Sequence, residues 1–336
     1  MRSMLLAGVL AVLWSGGCSV SADSDRGKDM GKEEVKKELS GQAAEAAKMP
    51  PLTDAERKII LDKGTELPFT GKYWNVFEAG TYVCRQCGAL LYVSDSKFKS
   101  DCGWPSFDDE VPGAVKRQLD ADGQRTEILC AKCGGHLGHV FEGERFTAKD
   151  TRHCINSASL VFVPELKRRV ERAVFAGGCF WGVEHQFRQV PGVLGVRSGY
   201  TGGKVDKPTY KQVCTGTTGH AEAVEIFFDP EKVSYEQLAR LFFEIHDPTQ
   251  QNRQGPDVGT QYRSTVFYRS EEQKKAAGKL IGELKEKGYK VVTEVAPAST
   301  FWAAEDYHQD YLTKHPERPS CHVRVPRFET PTKSSD

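Results

Sequence analysis

A chain of 336 residues exceeds what one hydrophobic core usually holds, so two domains are expected. Its 46 lysines and arginines are matched by 46 aspartates and glutamates, which argues against the basic footprint of a nucleic-acid or anionic-membrane binder. With 39% hydrophobic and 10% aromatic residues the chain can bury real cores, and no apolar run reaches the roughly 18 residues of a membrane-spanning helix.

Residues 1–18 stand apart from the rest. Arg2 precedes an apolar stretch, and the small residues Ser15, Gly16 and Gly17 lead to Cys18, the pattern of a secretory signal peptide. Ser-Gly-Gly-Cys resembles the lipobox of bacterial lipoproteins, which makes Cys18 the candidate lipidated first residue of the mature chain; plain cleavage and an uncleaved anchor stay open. On this reading the protein is exported to the cell envelope or periplasm and meets the membrane only through a lipid. Residues 19–52 are rich in Ser, Asp, Glu, Lys, Gly and Ala and carry too few apolar side chains to offset ordering entropy, which reads as a flexible tether.

Order begins at Thr53, where Thr-Asp-Ala-Glu supplies a capping box through Glu56, followed by Ile59, Ile60 and Leu61 and a stop at Gly64. Beyond this short helix, β-rich runs at 81–83, 90–93, 127–129 and 159–163 alternate with turn clusters, so residues 53–165 read as an all-β domain. A short charged stretch follows, and the pattern changes. Residues 172–330 predict a strand at 173–175, a glycine pair, a helix over 180–190 and a strand at 223–228. Helices capped by Ser234 and Ser270 come next, the second stopped by Gly288, then a strand at 290–295 and a helix over 301–312. Strands alternating with helices indicate α/β or α+β. No internal repeat relates the halves.

Chemistry concentrates in cysteine motifs. Cys84-Arg-Gln-Cys87-Gly and Cys130-Ala-Lys-Cys133-Gly are two knuckles of the same spacing, and four such thiolates suit one structural zinc ion with no open position. Disulfides or a pair of redox motifs are the alternative that export leaves open.

Around the knuckles lie Asp101-Cys102-Gly-Trp104-Pro-Ser-Phe107, Gly-Gly-His136-Leu-Gly-His139-Val-Phe and Arg152-His-Cys154-Ile-Asn156-Ser. Over about residues 53–165 these resemble the methionine sulfoxide reductase B family, which implies a zinc-containing all-β fold. The resemblance implies that Cys154 is the nucleophile, that Cys102 resolves it, and that Trp104 helps form the methyl-sulfinyl pocket. His136, His139 and Asn156 would bind or protonate the sulfoxide oxygen. The residue chemistry agrees: a thiolate beside Arg152 or a protonated histidine attacks, and imidazoles deliver protons to a leaving oxygen. The histidines fit a satisfied core role as well, and Trp104 simple packing.

In the second region Gly177-Gly178-Cys179-Phe180-Trp181-Gly182 joins a predicted strand to a predicted helix. That places the Cys179 sulfur near unpaired amides and the positive end of the helix dipole, where a thiolate is favoured. Strand alternation puts Glu222 on the face of Val224, Ile226 and Phe228, an apolar setting that favours a protonated carboxyl; a buried, paired structural Glu222 is the alternative. With Tyr200-Thr-Gly-Gly, Thr209-Tyr210, Gly219-His-Ala-Glu222 and Asp257-Val-Gly-Thr-Gln-Tyr262, residues 172–328 resemble methionine sulfoxide reductase A, which implies a two-layer, ferredoxin-like α+β fold. By that resemblance Glu222 protonates or hydrogen-bonds the sulfoxide oxygen, Tyr210 and Tyr262 orient it, Asp257 supports the site, and Phe180 with Trp181 holds the methyl group. Cys321 would resolve Cys179, although the tail lacks the family's glycines and a second downstream cysteine. Cys214 is left as a structural thiol.

The combined expectation is one bifunctional chain. Each domain reduces one epimer of methionine sulfoxide, free or in peptides and proteins, the second domain the S form and the first the R form. Each works through a sulfenic acid and an intramolecular disulfide returned to thiols by a thioredoxin-like donor. The enzyme is expected to act as a monomer in repair of oxidised envelope proteins. Two other readings use the same residues: a thiol-disulfide oxidoreductase or peroxide sensor, and a noncatalytic, zinc-stabilised surface lipoprotein.

Overall fold

The computed structural model describes residues 49–165, 170–320 and 322–329. The signal segment, Cys18, residues 19–48 of the tether and Cys321 lie outside the described residues.

The capping box at Thr53 forms as the sequence predicts. Thr53 Oγ1 accepts the Glu56 amide, the Glu56 carboxylate takes the Thr53 amide at 2.8 Å, and helix α1 runs Asp54–Ile60. Nine strands follow: β1 (Gly80–Cys84), β2 (Leu90–Val93), β3 (Lys97–Phe98), β4 (Ser106–Phe107), β5 (Val115–Leu119), β6 (Thr126–Cys130), β7 (His136–Glu142), β8 (Thr151–Ile155) and β9 (Leu160–Pro164). They make a three-stranded sheet, β2-β1-β9, and a six-stranded antiparallel sheet, β3-β4-β8-β7-β6-β5. Tyr82, Leu91, Tyr92, Phe107, Ile128 and Ile155 form the core of this region. The register of the larger sheet places Gln118, Glu127, His139, Cys154 and Ser106 opposite one another, one from each of five neighbouring strands.

The second region contains β10 (Glu171–Gly177), α2 (Phe180–Arg188), β11 (Val193–Thr201), α3 (Tyr210–Cys214), β12 (Ala221–Phe228) and α4 (Tyr235–Ile245). A small hairpin, β13 (Arg253–Gln254) and β14 (Asp257–Val258), precedes β15 (Ser264–Tyr268), α5 (Glu271–Glu286), β16 (Glu294–Pro297), β17 (Trp302–Ala303) and α6 (Tyr311–Lys314). The sheet order is β16-β15-β10-β12-β11-β17, antiparallel except where β16 joins β15. Phe175, Val224, Ile226 and Phe228 of the sheet form one core with Phe187, Leu238, Phe242 and Leu280 of the helices. Ser234 closes a full capping box with Gln237, and Ser270 caps α5.

Two expectations need correction. The helix over 301–312 is absent: Trp302 instead pairs with Tyr200 at the sheet edge, a single 3-10 turn spans Asp306–His308, and Asp310 adopts a left-handed φ of 54° that stops a helix from running through it. The strand expected at 290–295 begins only at Glu294.

From Met49 onward the chain is one compact unit. The two regions meet through a buried ion cluster and a small apolar cluster, among other contacts. Asp109, past β4, accepts hydrogen bonds from Lys149 and from both terminal nitrogens of Arg197 on β11, and Arg197 also reaches Glu225 on β12 at 2.6 Å. Val93 and Val111 pack with Phe227 beside them. Among the described residues no helix is long and apolar enough to cross a membrane.

Candidate active sites and a four-thiol cluster

In the sheet-based site, β8 presents Arg152 and Cys154 on one face because alternate residues of a strand share a face. Gly138 lets β7 approach β8: a Cβ there would lie 2.0 Å from the Cys154 carbonyl oxygen. Cys102, between β3 and β4, brings its Sγ to 3.9 Å from Cys154 Sγ. Disulfide formation needs about 2.05 Å, so the two sulfurs stand a short closure apart. Arg152 spans Glu144 with Nε at 2.6 Å and Nη2 at 2.9 Å, and turns Nη1 to Cys102 Sγ at 3.5 Å.

The pair shares one negative charge unevenly. The hydrogen bond from Cys154, with those of Ser100 and Ser106, brings the Cys102 thiol down to about 4 against the effect of burial. The same bond and burial push the Cys154 thiol up, while Arg152 pulls the other way. The sequence places the activated thiol at Cys154; the hydrogen bonds of this geometry favour the thiolate at its neighbour.

A pocket of about 110 Å³ opens over Cys154 and is lined by Trp104, His139 and Asn156 as well as Thr65, Arg125 and Phe141. Glu66 organises one wall. Its carbonyl accepts Trp104 Nε1–H at 3.1 Å, its amide donates to Asn156 Oδ1 at 3.0 Å, and Asn156 Nδ2 donates to the Leu137 carbonyl at 3.1 Å. His139 Nε2 pairs with Asp120 at 2.6 Å. His136 is not among the residues lining the pocket: it is buried, its Nδ1 pairs with Glu127 at 2.7 Å, and its ring lies 5.5 Å from that of His139.

In the helix-based site, Gly178 takes a φ of 96°, which permits the tight turn from β10 into α2 and leaves Cys179 at the helix N-cap. The Phe180 amide donates to Glu222 Oε2 at 3.2 Å, which draws the buried Glu222 to the first turn of the helix. Phe180 is buried. Trp181 is fixed on both sides, its Nε1–H donating to His308 Nδ1 at 3.0 Å and its ring stacked 3.8 Å from Tyr311. Tyr210 opens α3 with its amide on Glu305 at 2.8 Å, and its ring lies 4.4 Å from that of His308. Burial holds the phenols of Tyr210 and Tyr262 above the usual range, and Tyr262 lies within electrostatic reach of Glu222, Asp257 and Cys179. Cys214, read as structural, is exposed and hydrogen-bonded to Tyr210. Of the residues beside the undescribed Cys321, His322 Nε2 lies 2.8 Å from the Gly177 carbonyl.

The third constellation is the two knuckles. The sulfurs of Cys84, Cys87, Cys130 and Cys133 all lie within 4.8 Å of one another, with Cys84 to Cys133 at 3.7 Å and Cys87 to Cys130 at 3.6 Å. Four sulfurs about 2.3 Å from one tetrahedral ion are about 3.8 Å apart, so the cluster fits a metal. None of the eight cysteines described forms a disulfide.

Sequence reasoning missed Glu66, Asp120, Glu127 and Glu144 in the first site, and Glu305, His308 and Tyr311 in the second. The second group shares one short run, 305–311, dense in charged and aromatic residues, a signal that the helix expected there obscured.

Compared with known proteins, residues 52–164 match the model of the SelR domain and residues 171–335 that of peptide methionine sulfoxide reductase. A peptide methionine sulfoxide reductase MsrA of Nautilia profundicola is 57% identical over 159 residues, 47% of this chain and 92% of that protein. One from Methanothermobacter thermautotrophicus is 56% identical over 153 residues, 45% of this chain and 90% of its own length. Among solved structures, Mxr1 from Saccharomyces cerevisiae in reduced form is 38% identical, covers 46% of this chain and 92% of its own, and has a TM-score of 0.45.

Proposed function

The chain belongs to the methionine sulfoxide reductases, a SelR domain followed by a peptide methionine sulfoxide reductase domain, and it reduces methionine sulfoxide with both epimer specificities; from that premise we propose how its residues divide the work. The SelR-type domain, 53–165, takes the R epimer through Cys154, and the second domain, 172–330, takes the S epimer through Cys179. The observation that carries the reading is the pair Cys102 and Cys154, 3.9 Å apart beneath a side-chain-sized pocket.

In each site a cysteine thiolate attacks the sulfoxide sulfur while the oxygen gains a proton. Methionine leaves, and the cysteine retains the oxygen as a sulfenic acid. In the first domain Cys102 then attacks that sulfur, water departs and a disulfide forms. A proton transfer from Cys154 to Cys102 is placed ahead of the attack, because the hydrogen bonds of Ser100 and Ser106 favour the thiolate at Cys102. His139 and His136 serve the oxygen, Trp104 the methyl group, and Asn156 fixes the pocket wall. In the second domain Glu222, Tyr210 and Tyr262 serve the oxygen, Asp257 supports them, and Phe180 with Trp181 cages the methyl. Cys321 resolves Cys179, a pairing supported by the contact of its neighbour His322 with the turn before Cys179.

Zinc at Cys84, Cys87, Cys130 and Cys133 is supported by the four-sulfur donor set and its spacing. It would hold the two knuckles together and take no part in the redox step. The strand order β15-β10-β12-β11, with α2 and α4 as crossovers, supports a ferredoxin-like second domain. The apolar stretch ending at Cys18 supports export to the cell envelope or periplasm with a lipid anchor. A thioredoxin-like dithiol, supplied across the membrane, would regenerate both disulfides, and the enzyme would act as a monomer in envelope repair.

The test uses the chain without residues 1–18 and its Cys154→Ala and Cys179→Ala variants, given separated R and S methionine sulfoxide with dithiothreitol. Each variant is expected to lose one epimer only. A parent protein that reduces neither brings the thiol-disulfide oxidoreductase reading forward.

A further inference from the structure

The steps proposed for Cys154 and Cys102 leave Glu127 unused. It lies on β6, is 1% exposed, and its carboxylate accepts from three side chains: Lys63 Nζ at 2.8 Å, Gln118 Nε2 at 2.7 Å and His136 Nδ1 at 2.7 Å. Burying a carboxylate carries a desolvation cost that an apolar residue in the same strand would avoid. The register sets it directly opposite His139, which is itself opposite Cys154. Glu127 thus stands two strands from the nucleophile, on the side of the imidazoles.

The arrangement leaves one nitrogen unmatched. With Nδ1 engaged by Glu127, His136 Nε2 is buried and has no partner. An unsatisfied buried polar atom costs about 1–3 kcal/mol. The groups that face His136 are Glu127 on β6, His139 on β7, Asp120 beyond β5 and Lys63 beyond α1.

We propose that Glu127 is a positioning residue for R-sulfoxide reduction: it holds His136 with Nδ1–H on its carboxylate, leaving Nε2 as the nitrogen that gains and gives up a proton behind His139. This rests on Cys154 being the nucleophile. The carboxylate favours an imidazolium and burial opposes it; the balance leaves His136 below the ordinary imidazole range in the unliganded site. The partly negative oxygen of a sulfoxide entering the pocket tips the pair toward the protonated form, with solvent as the source of the proton. The proton ends on that oxygen as its bond to the substrate sulfur breaks, and Glu127 remains a carboxylate throughout.

The experiment compares the chain lacking residues 1–18 with its Glu127→Gln, Lys63→Met and Cys154→Ala variants on separated epimers. Glutamine keeps an oxygen for Nδ1–H and removes the charge. Its kcat for the R epimer should fall roughly 10- to 100-fold, part of the span of general acid-base catalysis, with KM little changed and the imidazole limb of the pH profile moved to lower pH. S turnover should be unaltered. Lys63→Met, at a half-exposed residue, removes the ammonium that competes for Glu127 and should move the same limb the opposite way. Loss of thermal stability without movement of either limb, or R turnover within about twofold of the parent, overturns the proposal. R activity surviving in Cys154→Ala would instead strike at the nucleophile itself.

Discussion

Cys154 is an inner residue of a strand; Arg152 shares its strand face, and the other groups that bear on it arrive by lateral pairing or from a loop, Ser106 from β4, His139 from β7 and Cys102 from the loop between β3 and β4. Cys179 sits at the junction of a strand and a helix, with Phe180 and Trp181 next to it in the chain and Glu222 drawn to the Phe180 amide. The first site uses side-chain hydrogen bonds and a guanidinium to manage thiolate charge; the second offers the amides and dipole of a helix terminus. A site assembled by register requires its whole sheet to be in place. The second keeps its nucleophile and the aromatic pair on one turn, while Glu222, Tyr210 and Tyr262 come from β12, α3 and the loop before β15.

The two sites should part most widely when the metal that the first is proposed to rely on is removed. Structural zinc contributes about 10–16 kcal/mol of apparent binding free energy in small domains. Cys133→Ser, or chelation of the parent, should therefore abolish R turnover and melt the first sheet by circular dichroism, while S turnover survives. Equal loss of both activities would mean that the helix-based site depends on the other sheet after all.

A narrower cut separates the two regions at their contact. Asp109 is buried between Lys149 and Arg197, and Arg197 also holds Glu225. The surrounding cations keep the Asp109 carboxyl well below the usual range despite its burial. Removing one partner of a buried pair typically costs about 3–5 kcal/mol, so Asp109→Ala should lower unfolding stability by about that amount. Chemical denaturation is expected to resolve into two transitions where the parent shows one, with each catalytic site active below its own transition. An unchanged single transition would show that the remaining contacts, the apolar cluster of Val93, Val111 and Phe227 with the ion pairs of Arg172 with Asp95 and Lys207 with Asp150, hold the regions together.

Legibility followed the same division. The helix-based site was readable because Cys179, Phe180 and Trp181 are contiguous and Glu222 lies on an apolar strand face, and the capping boxes at Thr53 and Ser234 announced their helices. Glu127 gave no such sign: its partners Lys63, Gln118 and His136 come from three other segments, brought together by the pairing of β5, β6 and β7 and by the turn after α1. Residues 301–312 misled for a related reason, since Trp302 is claimed by the sheet edge and Asp310 bends the chain. Tertiary pairing outweighed local propensity there.

In the second domain the corresponding residue is Glu222. Glu222→Gln preserves an acceptor for the Phe180 amide but cannot release a proton. General acids contribute about 10²- to 10⁴-fold, so kcat for the S epimer should fall at least about 10²-fold, near 2.7 kcal/mol of barrier, with R turnover as the internal control. Turnover that persists in the variant would return Glu222 to a purely structural place at the helix start.

The smallest effect concerns which sulfur holds the resting charge in the strand site. Cys102 is down to about 4 because Cys154, Ser100 and Ser106 bond to it, and only its thiolate alkylates rapidly. The sign follows from the depressed value: the thiolate fraction stays near complete from pH 8 to about pH 5 and is lost as pH falls through about 4. Alkylation of Cys102 by iodoacetamide, followed by peptide mass spectrometry, should therefore be nearly flat across the neutral range, while exposed Cys214 slows as pH drops below 8. Ser100→Ala removes the hydroxyl 3.0 Å from Cys102 Sγ and should raise the midpoint by roughly one unit, the scale of one charge-assisted hydrogen bond. Were Cys154 to alkylate first and without pH dependence, Arg152 would be holding the charge on the attacking sulfur. The strand site would then keep its nucleophile ionised at rest, and the proton transfer placed ahead of attack would be unnecessary.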